Sequence, residues 1–133
     1  MSNKFFKKII AQNTSDLHII SACCDESEIK LKDIKYLKKN RLFLMSIVRK
    51  NHEEEKSSEN IKSILKFDYV QSSKSKNINQ MDENTTLKLM AIDIFKKTEN
   101  YEIILLFSKN AIITLSAEII EVTLEDQINK KHD

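Results

Sequence analysis

The chain has 133 residues, of which 41% are hydrophobic and 32% are charged. This length suits a single domain over residues 1–133, and this composition provides both a core and a charged surface, which excludes a chain that is disordered throughout. Because 22 basic residues almost balance 20 acidic ones, the formal net charge is only +2 at pH 7, and it predicts no nucleic-acid partner.

The cysteines and the lengths of the apolar runs together predict the cellular compartment of the protein. Cys23 and Cys24 are adjacent and therefore poorly placed to bridge one another, which favours a reducing environment. No apolar run reaches the ~20 residues that span a bilayer, and the basic residues 4–10 are too short and interrupted for a signal-peptide core. We therefore expect a cytoplasmic protein without a membrane partner.

The N-terminal part of the chain predicts a lead-in segment followed by one short helix. Residues 4–10 are basic with a few apolar side chains, which favours a strand or tail packed on the domain over a segment lying on a membrane. Thr14 or Ser15 can cap a helix over residues 16–24. The apolar residues that recur at helical spacing are Leu17, Ile20 and Cys24. This face predicts a helix packed on a sheet.

Beyond the helix, apolar side chains alternate with polar ones, which is typical of half-buried strands. The alternation runs through residues 29–31 and 34–36. Residues 42–48 are apolar at both odd and even positions, as in a strand covered on both faces. Further strands are predicted over residues 61–71, 87–95, 101–108, 111–115 and 119–124. Polar residues without periodicity predict a solvated loop at 51–60 and a connector at 72–84.

Two segments of the chain are similar to one another, which suggests an internal duplication. Residues 29–39 align without a gap with residues 87–97, and each copy leads through polar residues into an apolar strand. The alternation slips by one residue at the same place in both copies, within residues 31–34 and 89–92. A β-bulge or a tight corner would produce this slip, because one extra residue exchanges the two faces of a strand.

The pseudo-repeats, at about residues 28–77 and 86–127, constrain the fold. Each repeat would expose an apolar sheet face if it folded alone, so the two must pack together around an approximate two-fold axis. We predict a mainly β domain of the α+β class, with one short N-terminal helix and two antiparallel β-units packed as a sandwich or a closed barrel. A barrel like that of pleckstrin-homology domains is the alternative.

Short matches spread along the chain carry a resemblance to a known family. The matching segments are Asp16-Leu17, Ile20-Ser21-Ala22, Asp25, Tyr36-Leu37, Arg41-Leu42-Phe43, Leu65-Lys66-Phe67 and residues 87–92, 111–115 and 118–126. Over roughly residues 16–126 the chain resembles the DUF2948 proteins, which are single-domain alphaproteobacterial proteins of unknown function. The resemblance implies a bacterial protein and no particular activity. By association, it implies a link to biosynthetic metabolism.

One turn departs from the pattern of that family. The family tends to have a glycine-rich turn between its last hairpin strands, whereas this chain has Ser108, Lys109 and Asn110 there. The chain contains no glycine at all, so every backbone position with a positive φ must use Asn, Asp or Lys, where glycine would be easier.

His18 and the cysteine pair are the residues that could suggest a metal or nucleophilic site. Zinc needs four ligands, and the other histidines, His52 and His132, lie in a predicted loop and near the last residue. On one helix, His18 and Cys23 diverge by more than a quarter turn, which does not favour a catalytic pair. We predict no catalytic residue, no metal site and no cofactor.

The densest acidic group comprises Glu118, Glu121, Glu125 and Asp126. Paired carboxylates do acid–base work or bind a hard cation only where they converge in a cleft. On a strand, Glu121 and Glu125 share a face that points away from the core. We therefore predict a solvated face for this acidic group.

Arg41 is the strongest candidate for ligand binding, because arginine is scarce in this chain and its guanidinium grips carboxylates or phosphates. Tyr36 and Asp33 lie close to it in sequence and complete the candidate site. The structural alternative is a single salt bridge from Arg41 that closes a hairpin.

Three functions remain open on the sequence. The leading hypothesis is a non-enzymatic domain that binds a protein partner or itself as a homodimer, because the strands are duplicated and no chemical motif is present. The second is a regulatory domain that binds a small metabolite at the junction of the two halves. The third is an enzyme that uses Arg41 and a carboxylate, which requires a pocket containing Arg41.

Overall fold

The structure, a computed structural model, describes residues 7–50, 60–79 and 81–127. Within these ranges the chain forms the helix α1 at Thr14–Cys23 and ten strands. The strands are β1 Lys8–Ala11, β2 Ser27–Lys30, β3 Ile34–Leu37, β4 Leu42–Lys50, β5 Asn60–Phe67, β6 Val70–Lys76, β7 Thr86–Lys96, β8 Tyr101–Phe107, β9 Ile112–Ala117 and β10 Val122–Asp126. The predicted loop at residues 51–60 lies outside the described residues, except for Asn60, which begins β5.

Asn13 caps α1 in place of the predicted Thr14 or Ser15. The Asn13 side-chain oxygen accepts a hydrogen bond from the Asp16 N–H at 2.8 Å, which satisfies one of the free N–H groups of the first turn. The apolar face is confirmed, since the residues fully buried from α1 and its C-terminal end are Leu17, Ile20 and Cys24.

The two strands β5 and β6 correct the predicted single strand over residues 61–71. The chain turns at Asp68 and Tyr69, where Tyr69 has a left-handed φ of 62°. β6 then continues to Lys76, so the predicted connector at 72–84 begins only after β6 ends. The sequence of β6 is rich in serine and lysine and has no apolar alternation, which is why the periodicity did not reveal this strand.

All ten strands belong to one antiparallel sheet, which confirms the predicted mainly β fold with an N-terminal helix. The order is β1-β10-β5-β4-β2-β7-β8-β9-β6, and β3 pairs with the first half of β4. Over the described residues the sheet does not close, so the predicted closed barrel is not formed, and the arrangement is consistent with the sandwich.

The sheet coils until its last strand, β6, returns to the end of β5 and the start of β4. β5 is third in the order and β6 is last, yet just Asp68 and Tyr69 connect them. At the start of β6, the Val70 N–H donates a hydrogen bond to the Arg41 carbonyl ahead of β4 at 2.9 Å. The apolar faces of the two halves therefore meet in one core. Its largest fully buried apolar residues include Phe43, Phe67, Leu17, Ile20, Ile29, Met45, Ile47, Leu65, Leu89, Ile92 and Ile103.

We call β2–β6 the first half of the sheet and β7–β10 the second half. The last strand of each half pairs with a strand of the other half. At the centre of the sheet β2 pairs with β7, with Ile29 opposite Leu87. From this centre β4 and β5 follow on one side, and β8 and β9 follow on the other. The next strands are exchanged, because β10 pairs with β5 and β6 pairs with β9. Each half therefore depends on the other for a hydrogen-bonded neighbour strand.

The two segments with slipped alternation both contain an irregularity at the slip. A short 3-10 helix at Leu31–Asp33 separates β2 from β3. In β7, the register with β8 shifts between Leu89 and Ala91, as at a β-bulge. The predicted corner or bulge is present at both places, but one is a three-residue helical turn and the other is a shift within a continuous strand.

The β8–β9 hairpin shows how the chain makes a tight turn without glycine. Lys109 and Asn110 have φ values of 63° and 60°, and the Ala111 N–H bonds to the Ser108 carbonyl at 3.3 Å. Two successive positive φ values are typical of a type I′ turn. Within the part of the chain that the structure describes, the other left-handed residues are Glu26, Arg41, Tyr69 and Asn77, so the chain also uses Glu, Arg and Tyr at such positions.

Replacing Lys109 by glycine should stabilise the protein. A residue with a Cβ in the left-handed conformation destabilises the folded state by roughly 1–2 kcal/mol, and glycine removes this cost. Glycine also has a larger conformational entropy in the unfolded chain, which cancels part of the gain. We expect Lys109→Gly to raise the free energy of unfolding by about 0.5–1 kcal/mol in urea titrations. The matched control, Lys88→Gly within β7, should lower it by a similar amount. A destabilised Lys109→Gly protein would contradict the turn assignment.

Candidate functional site

A cleft lies between β3 and β6, where the last strand of the coiled sheet faces the strand that pairs with the first half of β4. In the described part of the chain, β3 pairs with β4 alone and β6 pairs with β9 alone. We call the sides of β3 and β6 that point away from these neighbours their outer edges. Both strands contribute side chains to the cleft, which therefore separates the two outer edges.

The cleft has a volume of about 470 Å³, an apolar floor and a polar rim. Phe43 of β4 and Ile113 of β9 are buried core residues that form the floor. The other lining residues are Leu31, Lys32, Ile34, Lys35, Tyr36, Ser73, Ser75, Ile78 and Glu83. A concave site with an apolar base and a few polar groups is the usual form of a ligand or peptide site.

Hydrogen bonds fasten one end of the cleft and leave the other end open. The Tyr36 hydroxyl donates to the Val70 carbonyl at 3.1 Å, directly beside the bond from the Val70 N–H to the Arg41 carbonyl. Arg41 Nη1 also meets Glu118 Oε1 at 3.1 Å, with both side chains about half exposed. From this end the cleft extends past Ser73 and Ser75 toward the segment after β6.

The structure separates the three residues predicted to bind a ligand. Tyr36 lines the cleft, whereas Arg41 and Asp33 lie outside the set of described residues that line it. Arg41 has a left-handed φ of 54° and forms a single salt bridge with Glu118, but this salt bridge links the turn ahead of β4 to the segment after β9 and does not close a hairpin. This cleft therefore gives no support to an enzyme built around Arg41.

The corresponding gap on the other side of the sheet centre is filled by the chain itself. There β1 pairs along β10, with Lys8 opposite Glu125 and Ala11 opposite Val122. α1 then packs against β7, where Ser21 Oγ accepts a hydrogen bond from the Ile92 N–H at 2.9 Å. β10 and β6 are the exchanged strands and hold corresponding places in the sheet. The edge of β10 that β1 covers therefore corresponds to the outer edge of β6.

A second polar feature is a buried ion pair at the far end of β4. Arg49 and Asp126 are each 1% exposed, and their side chains form two hydrogen bonds, of 2.9 Å from Nε and 2.7 Å from Nη2. Ser63 Oγ donates to Asp126 at 2.6 Å, and the Lys7 N–H donates at 2.8 Å. The network therefore connects β4, β5 and β10 to the residue ahead of β1.

The hydrogen bonds to Asp126 determine its charge state. Burial alone would raise the pKa of this carboxyl, but the hydrogen bonds from Arg49, Ser63 and the Lys7 N–H outweigh burial and lower the pKa below its usual value. Asp126 therefore stays ionised beside Arg49 at neutral pH. Enclosed on all sides, the pair stabilises the sheet and offers no surface to a substrate.

The cysteine and histidine residues of α1 do not converge with this network into a reactive site. Burial raises the pKa of the Cys24 thiol to about 12, so Cys24 is a neutral thiol at physiological pH and a poor nucleophile. His18 is exposed on the outer face of α1. Among the described residues, no cluster of three or more His, Cys, Asp or Glu side chains could hold a metal ion.

The prediction that Asp126 lies on a solvated acidic face is wrong, because Asp126 is buried. Asp126 shares the strand parity of Val122 and Leu124, which are buried, while Glu121 and Glu125 are partly exposed as predicted. Arg49 was missed, although it continues the buried parity of Met45 and Ile47. The sequence did contain a signal for this pair. Arg49 and Asp126 carry opposite charges and each stands two positions beyond a core-facing residue of its strand, and a buried charge requires a partner.

These features define a small α+β domain whose single coiled antiparallel sheet is consistent with a sandwich and carries a cleft between β3 and β6. In addition, residues 7–132 match the family described as "Protein of unknown function (DUF2948)". The match covers nearly the whole chain, so the chain belongs to the DUF2948 family, which confirms the resemblance. The chain matches no curated protein and no solved structure. No helix in the described ranges has the length and apolar character needed to cross a membrane.

Breaking the buried ion pair should cost far more stability than breaking the exposed one. Removing one partner leaves a buried charge, so we expect Asp126→Asn or Arg49→Met to lower the free energy of unfolding by about 3–5 kcal/mol. The double variant Arg49→Met/Asp126→Leu should lose clearly less than the sum of the two single losses. The matched control, Arg41→Met, should lose at most about 1 kcal/mol in the same denaturant titrations. Additive losses would show that the two charges do not depend on one another.

The ion pair should also make the protein sensitive to acid. A lowered folded-state pKa contributes stability above the unfolded pKa, near 3.8, and this contribution disappears as the pH falls through the folded pKa. The stability difference between the native protein and Asp126→Asn should therefore be constant near neutral pH and shrink below about pH 5. Thermal unfolding across this pH range measures it, and a difference that grows in acid would contradict the assigned charge state.

Proposed function

We propose that this domain is a non-enzymatic binding domain that receives a segment of a partner protein in the cleft between β3 and β6. The observation that carries the proposal is the pair of outer strand edges on either side of an apolar floor. Strand edges expose main-chain donors and acceptors, and peptides commonly bind by adding to such an edge. The floor residues Phe43 and Ile113 supply an apolar surface for the side chains of the partner.

The charge of β6 favours a partner other than a second copy. Lys74 and Lys76 are exposed on β6, and the strand contains no acidic residue. An antiparallel pair of two β6 edges would place these lysines close together, and like charges opposite one another destabilise a sheet. Lysines on edge strands are a known protection against self-pairing. A homodimer would therefore need another surface.

A second candidate function is the binding of a small metabolite, in a regulatory role linked to biosynthetic metabolism. The specific observation in its favour is the cleft volume of about 470 Å³, which lies within the usual range of small-molecule sites. The lysines and hydroxyls of the rim would suit an anionic metabolite. Thermal-shift screening with amino acids and nucleotide sugars tests this function, and Ser75→Trp, which fills the cleft, should abolish any shift.

We also propose that the chain arose by duplication of a β-unit, with repeats at about residues 28–77 and 86–127, and that it works in the bacterial cytoplasm. The reciprocal exchange of β6 and β10 and the paired irregularities support the duplication. The free thiols of Cys23 and Cys24 support a reducing compartment.

Site-specific photo-crosslinking in cells tests partner binding. A photoreactive amino acid at position 75, on the cleft side of β6, should capture a specific protein. The matched control places the same residue at position 46, an exposed serine on the outer face of β4, where we expect no specific adduct. Equal labelling at both positions, or no protein adduct at position 75 together with a monomeric native mass, would count against the proposal.

A further inference from the structure

We infer, building on the proposed function, that the partner segment is an acidic extended strand that adds antiparallel to the outer edge of β6. This partner strand would pair with β6 in the same way that β1 pairs with β10. Its side chains would alternate between apolar residues that enter the cleft and acidic residues that face the lysines of β6.

The exchanged strands provide the geometric argument. β6 and β10 occupy corresponding positions, since each follows the third strand of the opposite half in the sheet order. β10 carries β1 on its outer side over the four residue pairs from Lys8–Glu125 to Ala11–Val122. Within the described ranges no strand lies at the corresponding side of β6. The fold therefore already contains one example of the strand addition that we infer.

The outer edge of β6 suits an added strand better than that of β3. β6 has seven residues, whereas β3 has four and is preceded by the 3-10 helix at Leu31–Asp33. Beside β3, the N–H groups of Leu31 and Lys32 already bond to the carbonyls of Thr85 and Glu83. Main-chain pairing is therefore available over a longer stretch on β6.

The side chains of β6 define the pattern of the added strand. Ser73 and Ser75 face the cleft, and Ser75 pairs with Ile113 of the floor. Residues directly opposite one another on paired strands point to the same face, so the partner residues opposite these serines would enter the cleft. Serine is small and leaves room there for an apolar side chain. The partner residues opposite Lys74 and Lys76 would lie on the outer face.

The charges around β6 select an acidic partner. Lys74 and Lys76 are exposed on β6, and Lys32 and Lys35 line the opposite rim, where Glu83 is the single acidic residue among the described residues of the lining. Opposite charges across paired strands are stabilising, and the β1–β10 pair contains one such contact, between Lys8 and Glu125. A basic or neutral strand would leave the lysines of β6 without this compensation.

Selection of random peptides displayed on phage tests this inference on the full chain. We expect the selected peptides to alternate acidic and apolar residues. The variant Lys74→Glu/Lys76→Glu should weaken binding of the selected peptides by about tenfold or more in fluorescence anisotropy. The matched control, Lys62→Glu/Lys96→Glu, changes the charge by the same amount at exposed positions on β5 and at the end of β7, away from the cleft, and should bind within about twofold of the native protein.

Two further measurements distinguish strand addition from simple charge attraction. N-methylation of alternate peptide amides preserves the charge but removes main-chain donors, so methylation of the donors that face β6 should abolish binding. Amide hydrogen exchange in Val70–Lys76 should slow in the complex. Selected peptides without an acidic bias, or binding that survives methylation at every amide in turn, would overturn the inference. A protein crosslinked at position 75 would then still support the proposed function, so the two failures are distinguishable.

Discussion

The reciprocal pairing of β10 with β5 and of β6 with β9 is the constraint on which the rest of this structure depends. Because each half supplies a strand to the other, the sheet must coil so that β6, its last strand, returns to the end of β5 and the start of β4. That coiling buries the apolar faces of both halves in one core and leaves a gap beside each exchanged strand, β6 and β10. The N-terminal β1 and α1 occupy one gap, and the cleft between β3 and β6 is the other.

The buried ion pair and the cleft lie at opposite ends of β4 and have different roles. Phe43 forms the floor of the cleft, while Arg49 lies six residues further along the same strand, about 20 Å away. Arg49 and Asp126 are enclosed and joined by two hydrogen bonds, and Asp126 also accepts from the Lys7 N–H, which fixes the position of β10 and of the residue ahead of β1. The rigid end of the domain is thus separate from the open end where we place binding.

The sequence predicted the fold class, the helix and most strands, because those elements carry a regular apolar period. It predicted irregularities near Leu31 and Leu89 from the same signal. It did not reveal β6, whose serines and lysines have no apolar pattern, and that strand borders the cleft. Asp126 was misassigned because local acidic density was weighed above strand parity. The rarity of arginine in this chain suggested a ligand site at Arg41, but Arg41 forms a salt bridge with Glu118, a partner distant in sequence that no local pattern indicates.

Cleavage of the chain between Met81 and Asp82, which are exposed, tests the exchange of strands most directly. The account predicts that each fragment alone is unfolded, because β6 lacks β9 in one and β10 lacks β5 in the other. Mixed in equal amounts, the fragments should form a heterodimer whose amide NMR spectrum reproduces that of the intact protein. A C-terminal fragment that folds alone as a stable monomer would contradict the account.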